Sequence, residues 1–263
     1  LQTPEDVMCP KGILWKHRRD GDTDIYFISN QQAKERRETI SFRIAGRTPE
    51  LWSADTGSIE PAADFKEENN RTCVTLNLDP AGSLFVVFKK SVSTPTPPTT
   101  ELKKIAEIKG PWKVSFPFKQ VTFKKLIPWS KHSDPAIQYF SGTATYETRF
   151  NLACVKGSTL LDLGVVDEMA RVRVNGQDMG VLWKFPYRVD ISKAVREGRN
   201  TLEIDVVNTW LNGLIGDGLK PESERTLFVS TKSWKADQPL TSSGLLGKVI
   251  LYSKLQAPVH TAQ

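Results

Sequence analysis

An Asn175-Gly176 pair set between alternating segments is the feature that most restricts what this chain can fold into. Both residues of a two-residue hairpin turn must accept positive φ, and Asn-Gly does so at little cost. Before it, Val172 and Val174 alternate with Arg171 and Arg173, the period of a half-buried strand. After it, Val181-Leu-Trp183-Lys-Phe-Pro186-Tyr187 runs into an aromatic loop. Ser192 then reads as the N-cap of a short helix over Lys193–Glu197, stopped by Gly198. Leu202, Ile204 and Val206 alternate with Glu203 and Asp205 as a further strand, and Asn208 to Asp217 reads as a loop.

The same alternation recurs upstream. Asp24–Asn30 reads as an apolar strand; Ile40, Phe42 and Ile44 alternate, as do Val74, Leu76 and Leu78, and Leu84–Phe88 closes the set. Short strands at this spacing predict a small β-sandwich over residues 12–90, behind an N-terminal extension at 1–11. Residues 91–101, which include Pro95, Pro97 and Pro98, predict an extended linker. Residues 102–256 supply the length of a jelly roll of about eight strands, and 257–263 form a tail. The expected class is all-β: a small β-sandwich followed by a jelly roll.

Composition narrows the function. Of 263 residues, 39% are hydrophobic and 25% charged, as in ordinary soluble domains. No apolar run approaches the roughly 18–20 residues of a membrane span. Leu1-Gln-Thr-Pro is not a natural start, so the chain reads as a piece of a longer protein. The net charge of +6 is scattered among acidic residues and forms no phosphate-tracking stripe, which argues against a nucleic-acid partner. Cys9, Cys73 and Cys154 are odd in number and far apart, a pattern of buried free thiols rather than disulfides or zinc ligands. The histidines, His17, His132 and His260, do not cluster, so no catalytic or metal triad is expected.

Two resemblances follow from longer motifs. Leu163-Gly164, Val174-Asn175-Gly176, Asp190-Ile191-Ser192 and Gly198-Arg-Asn-Thr-Leu202 resemble the galactose-binding-like, sugar-binding jelly roll of family 2 glycoside hydrolases. The flanks fit as well: Gly110-Pro-Trp112 to Phe116, Tyr139 to Phe150, and Gly244-Leu-Leu-Gly247 to Leu251. Upstream, Arg18-x-Asp20-Gly21-Asp22-Thr-Asp24-Ile-Tyr26-Phe27 and Pro49-Glu-Leu-Trp52-x-x-x-Thr-Gly57 resemble the region after the catalytic barrel of family 106 α-L-rhamnosidases. The resemblance implies a glycan partner, rhamnose-containing in that family, and an N-terminal catalytic barrel as neighbour. It also implies a secreted, periplasmic or cell-surface location. Since that family's catalytic carboxylates belong to the barrel, none is assigned here.

Candidate sites rest on side-chain chemistry. Sugars stack C–H faces on indole rings while amides and carboxylates take their hydroxyls. Trp129, Trp183, Tyr187, Trp210 and Trp234 all fall in expected loops, with Asn212 and Asp217 nearby in sequence. Trp129 and His132 are expected to share one cleft with Trp210, Asn212 and Asp217, flanked by Trp183 and Tyr187; the alternative is that these loops only cap the core. Asp20, Asp22 and Asp24 resemble the start of a calcium loop, but the glycine is misplaced and no bidentate Glu follows, so a polar turn is the competing reading. No other cofactor is implied. The chain is expected to be the non-catalytic C-terminal portion of a rhamnosidase-type glycoside hydrolase. The alternatives are a stand-alone carbohydrate-binding module and an adhesion or scaffold sandwich without a sugar site.

Overall fold

A computed structural model describes residues 4–90, 100–153, 157–230, 234–235 and 237–256. They form two compact units, one ending at Thr100 and one spanning Glu101–Leu255. The expected linker residues 91–99 and the tail 257–263 lie outside the described residues. Both units are built of strands, as expected of an all-β chain, with two short α-helices in the second. No helix among the described residues is long and apolar enough to cross a membrane.

The first unit contains β1 (Val7–Met8), β2 (Ile13–Asp20), β3 (Thr23–Asn30), β4 (Arg36–Phe42), β5 (Pro49–Trp52), β6 (Ile59–Pro61), β7 (Phe65–Glu68), β8 (Arg71–Leu78) and β9 (Ser83–Phe88). They make two sheets, ordered β1-β4-β8-β7 and β2-β3-β9-β5-β6. Alternation sends Tyr26 and Ile28, Ile40 and Phe42, Val74 and Leu76, and Val86 and Phe88 into one core. Each fully buried apolar side chain of this size contributes roughly 1.5–3 kcal/mol. Within the expected N-terminal extension, the described residues 4–11 are tied to this unit. Val7 pairs with Phe42 and is buried, and the Arg71 guanidinium donates to the backbone oxygens of Glu5 (2.8 Å) and Asp6 (3.1 Å).

The second unit contains β10 (Thr100–Ile108), β11 (Trp112–Phe116), β12 (Lys119–Phe123), α1 (Pro135–Gln138), β13 (Thr143–Leu152), β14 (Ser158–Asp162), β15 (Val166–Asp167), β16 (Met169–Val174), β17 (Gln177–Leu182), β18 (Arg188–Asp190), β19 (Gly198–Val207), α2 (Leu211–Gly218), β20 (Gly244–Leu245) and β21 (Val249–Gln256). The first of these strands starts inside the stretch expected to be linker. A six-stranded sheet, β12-β11-β13-β19-β16-β17, and a four-stranded sheet, β10-β21-β14-β18, enclose the core; β15 and β20 pair separately. Val172 and Val174, Leu202, Ile204 and Val206, and Ala144 and Tyr146 point into it.

The Asn175-Gly176 turn joins β16 to β17 with φ of 51° and 79°. Asn175 also ties distant chain together. Its amide donates to the Ala194 and Asn200 oxygens, each at 2.8 Å, and its oxygen accepts from the Thr201 N–H at 2.9 Å. The helix expected over Lys193–Glu197 is instead a turn. The Asp190 carboxylate accepts from the Ser192 N–H at 2.9 Å, and the Ser192 hydroxyl accepts from the Thr159 N–H at 2.8 Å, so the expected cap closes a loop onto β14.

Asn208 to Asp217, expected as loop, contains α2. Two buried polar side chains of this helix fasten the long segment that follows it. Asn212 exchanges amide bonds with Thr241, donating to its oxygen at 2.8 Å and accepting from its N–H at 2.9 Å. The Asp217 carboxylate accepts from the Thr226 N–H (3.0 Å), the Leu227 N–H (2.9 Å) and the Lys220 ammonium (3.0 Å). The backbone donors of Leu227 and Thr226 hold its carboxyl well below the ordinary aspartate range. A depressed folded pKa gives a contribution that is complete above the unfolded value of about 3.9 and is lost as pH falls through the folded one. Asp217→Asn should therefore lower the melting temperature at pH 7, and the difference from wild type should shrink as pH drops below about 3.9. Peptides spanning Pro221–Ser230 should exchange deuterium faster in the variant, while β13 and β19 are unaffected. Equal exchange there would contradict this role.

Candidate functional site

Where the chain leaves β12 and where it leaves β19, two long segments meet over one end of the second unit. They are joined at several points. The Trp129 N–H donates to the Ser243 oxygen at 2.9 Å, the Gly213 N–H donates to the Ser141 hydroxyl at 2.8 Å, and the Asn208 side chain bridges the Phe140 oxygen and the Gly142 N–H. The helix α1 starts where Asp134 caps it, accepting from the Ala136 N–H at 2.9 Å with Pro135 at the first position. The helix α2 approaches α1 closely because Gly213 and Gly216 face it. A Cβ at Gly216 would lie 2.5 Å from the Tyr139 Cβ, and one at Gly213 would lie 2.8 Å from the Ser141 hydroxyl.

Between these helices opens a cleft of about 710 Å³. One wall is Phe118, Pro135, Tyr139 and Phe140; the other is Trp210, Asp217, Leu219, Lys220 and Leu227. Phe118 is 50% exposed and Trp210 68%, so rings stand open to solvent at its rim. A second concavity of about 760 Å³ lies on the outer face of the six-stranded sheet and has no aromatic lining. Its floor is a ladder of paired charges: Lys113 with Glu147 at 3.0 Å, Arg173 with Asp205 at 2.8 Å and with Glu203. For a sugar face the first cleft is the better match, because it offers the apolar ring surface that the second lacks.

The expected site residues separate into groups. Trp210 and Asp217 line the cleft; Trp129 and His132 do not. Trp129 is fully buried, and its indole N–H donates to the Tyr146 hydroxyl inside the core. It anchors the loop and presents no face to a ligand. His132 stacks on Phe123 with centroids 5.6 Å apart, and its Nδ1 accepts from the Asp134 N–H at 3.0 Å. Asn212 is buried and committed to Thr241. Tyr187 is buried, its hydroxyl donating to the Glu168 oxygen at 2.7 Å, and that burial pushes the hydroxyl's pKa up. Trp183 is 62% exposed. Its loop leaves β17 beside Ala170, and Met169 lies opposite Val207, so Trp183 occupies the same end of the sheet as the chain leading to Trp210 without lining the cleft.

Tyr139, Phe140 and Phe118 are cleft residues that the sequence reading passed over. The Asp134-Pro135 helix start was a signal for the first two.

Asp217, which lines the cleft, and Asp134, which caps the helix beside it, both have lowered pKa values. Asp217 is saturated by the donors described above. Asp134 is lowered first by its ion pair with Lys119 and then by the Ala136 N–H. A glycosidic general acid needs the opposite, a carboxyl raised toward neutrality.

The suggested calcium loop is a hairpin. Asp20 pairs with Thr23 across the β2–β3 turn, Asp20 and Asp22 point to solvent, and Asp24 is buried between His17 Nε2 and the Arg47 guanidinium, each at 2.9 Å. The register sets Asp24 opposite Arg19, so Asp20 and Asp24 project from opposite faces of the hairpin while Asp22 lies in its turn. Among the described residues no three His, Cys, Asp or Glu side chains are placed to hold a metal ion.

Known proteins echo both units. Residues 2–67 match the family model of glycosyl hydrolase family 106, α-L-rhamnosidase, and residues 118–233 match that of the glycosyl hydrolase 2 galactose-binding domain-like family. A rhamnosidase from Novosphingobium sp. PP1Y superposes with a TM-score of 0.85 at 39% identity, covering 95% of this chain and 25% of that one. A protein of Formosa agariphila, provisionally named a beta-glucuronidase, is 38% identical over 172 residues, which are 53% of this chain and 15% of that protein. The chain thus spans about a quarter or less of the length of these relatives. It joins a segment similar to family 106 α-L-rhamnosidases to a galactose-binding-like domain of the family 2 type, and over nearly its whole length it resembles a quarter of a rhamnosidase.

Proposed function

We propose that this chain is a non-catalytic stretch of a longer, rhamnosidase-type glycoside hydrolase that supports a catalytic barrel and touches glycan through the aromatic cleft. The observation that carries this reading is the 39% identity to a rhamnosidase, sustained across both units. The cleft adds chemical support: Trp210 and Phe118 offer ring faces to a pyranose, while Asp134 and Asp217 are ionised and occupied, unlike a glycosidase acid. The glycan partner is a rhamnose-containing polysaccharide. The same reading puts the protein outside the cytoplasm, secreted, periplasmic or at the cell surface, because polysaccharides do not cross membranes intact.

Two measurements test it. The purified chain should release no nitrophenol from an aryl α-L-rhamnoside; release that a point substitution within this chain abolishes would overturn the non-catalytic reading. In the longer enzyme, Trp210→Ala should reduce kcat/KM about three- to tenfold, the loss of roughly 0.5–1.5 kcal/mol of ring stacking, with the far-UV spectrum unchanged. Unaltered kinetics would remove Trp210 from the glycan site.

A further inference from the structure

In the first unit, the register of the five-stranded sheet aligns one side chain per strand across its outer face. Lys16 lies opposite Phe27, Phe27 opposite Phe85, Phe85 opposite Trp52, and Trp52 opposite Ile59. Their chain neighbours Tyr26, Val86 and Leu51 belong to the core, so this row projects from the other side of the sheet. Phe27 and Phe85 are in ring contact with centroids 5.2 Å apart, and the Lys89 ammonium sits 4.9 Å above the Trp52 ring. Phe27 is 36% and Ile59 54% exposed. With strands roughly 4.8 Å apart, the row crosses roughly 19 Å.

The row is narrow, flanked on the same face by Leu14 and Ser29 on one side and by Arg18 and Ile25 on the other. Its exposed area is on the order of 300 Å², from a few rings each partly open, whereas a stable protein interface takes roughly 800 Å² from each partner. A polysaccharide chain is itself a narrow ribbon whose sugar faces stack on rings. The charges beside the row select its type. Lys16 and Arg18 are exposed along β2 on the same face, and neither has a carboxylate partner among the described residues. Glu50, on the opposite margin, is already taken by Lys89 at 2.9 Å and by the Trp52 indole N–H at 2.8 Å. Asp20 follows Arg18 on the same face and is exposed as well, so the open charges at the β2 margin are two positive to one negative.

We propose that this face binds an anionic polysaccharide, with Phe27, Phe85 and Trp52 stacking on sugar rings and Lys16 and Arg18 meeting the carboxylates. This surface is separate from the aromatic cleft of the second unit and does not depend on its function. Calorimetric titration at fixed ionic strength with polygalacturonate, and with its methyl ester as the uncharged counterpart, tests it. The polyuronate should bind and the ester should bind more weakly. Lys16→Gln with Arg18→Gln should weaken polyuronate binding roughly three- to tenfold, as expected for two solvent-exposed ion pairs. These are exposed strand-edge positions, so the double variant keeps its fold. Phe85→Ala should weaken both ligands. No binding of the polyuronate, equal binding of ester and polyuronate, or equal binding by the double variant and wild type would each overturn the proposal.

Discussion

The second unit is organised by a buried hydroxyl. Tyr146 sits on β13 with no solvent exposure, and a polar atom in that position must find partners. It accepts from the indole N–H of the equally buried Trp129 and from the Leu245 N–H at 3.2 Å. One partner lies in the segment after β12 and the other in β20, so a single hydroxyl fastens both to the same point of the sheet. Burial raises the tyrosine's pKa, which keeps the group neutral. Gly244 makes room: at φ of 105°, a Cβ there would lie 2.7 Å from the indole nitrogen and 2.9 Å from the hydroxyl.

The exposed chemistry follows from this fixed end. With Trp129 pinned, α1 is set beside the start of β13, and the glycine face of α2 closes on Tyr139 and Ser141 just after α1. Asn212 and Asp217 use buried polar groups to hold the chain beyond α2, so Thr226 and Leu227 become part of the cleft wall. What remains outside is Trp210, Phe118 and Leu219 at the rim. A rim of exposed apolar side chains around one cleft is the kind of surface that ligand or partner contact uses. The first unit shows the same logic with a different device. There, strand register rather than loop anchoring brings Phe27, Phe85 and Trp52 into line.

Much of this was legible locally. Period-two alternation located β4, β8, β16 and β19, an apolar run located β3, and Asn175-Gly176 located the turn, because these signals act over a few residues. The membership of the cleft was not legible. Trp129 and Trp210 look alike in sequence, each an indole in a loop; what separates them is a hydroxyl 17 residues away that buries one and not the other. The helix α2 hid behind Gly213, Gly216 and Gly218, whose poor helix propensity is overridden by close packing against Ser141, Tyr139 and Trp234 respectively. Asp20, Asp22 and Asp24 suggested convergence, but the hairpin register pairs Asp20 with Thr23 and Asp24 with Arg19, which puts Asp20 and Asp24 on opposite faces and gives Asp24 to His17 and Arg47.

The anchoring role of Tyr146 is tested most directly by Tyr146→Phe, followed by urea unfolding and by hydrogen exchange of the two segments it joins. Removing the hydroxyl while keeping the ring leaves the Trp129 and Leu245 donors buried without their acceptor, at about 1–3 kcal/mol each. The account predicts a lower unfolding midpoint and faster exchange in the peptides around Trp129 and Gly244–Leu245, with β16 and β19 protected as before. Wild-type stability and wild-type exchange in those peptides would contradict it.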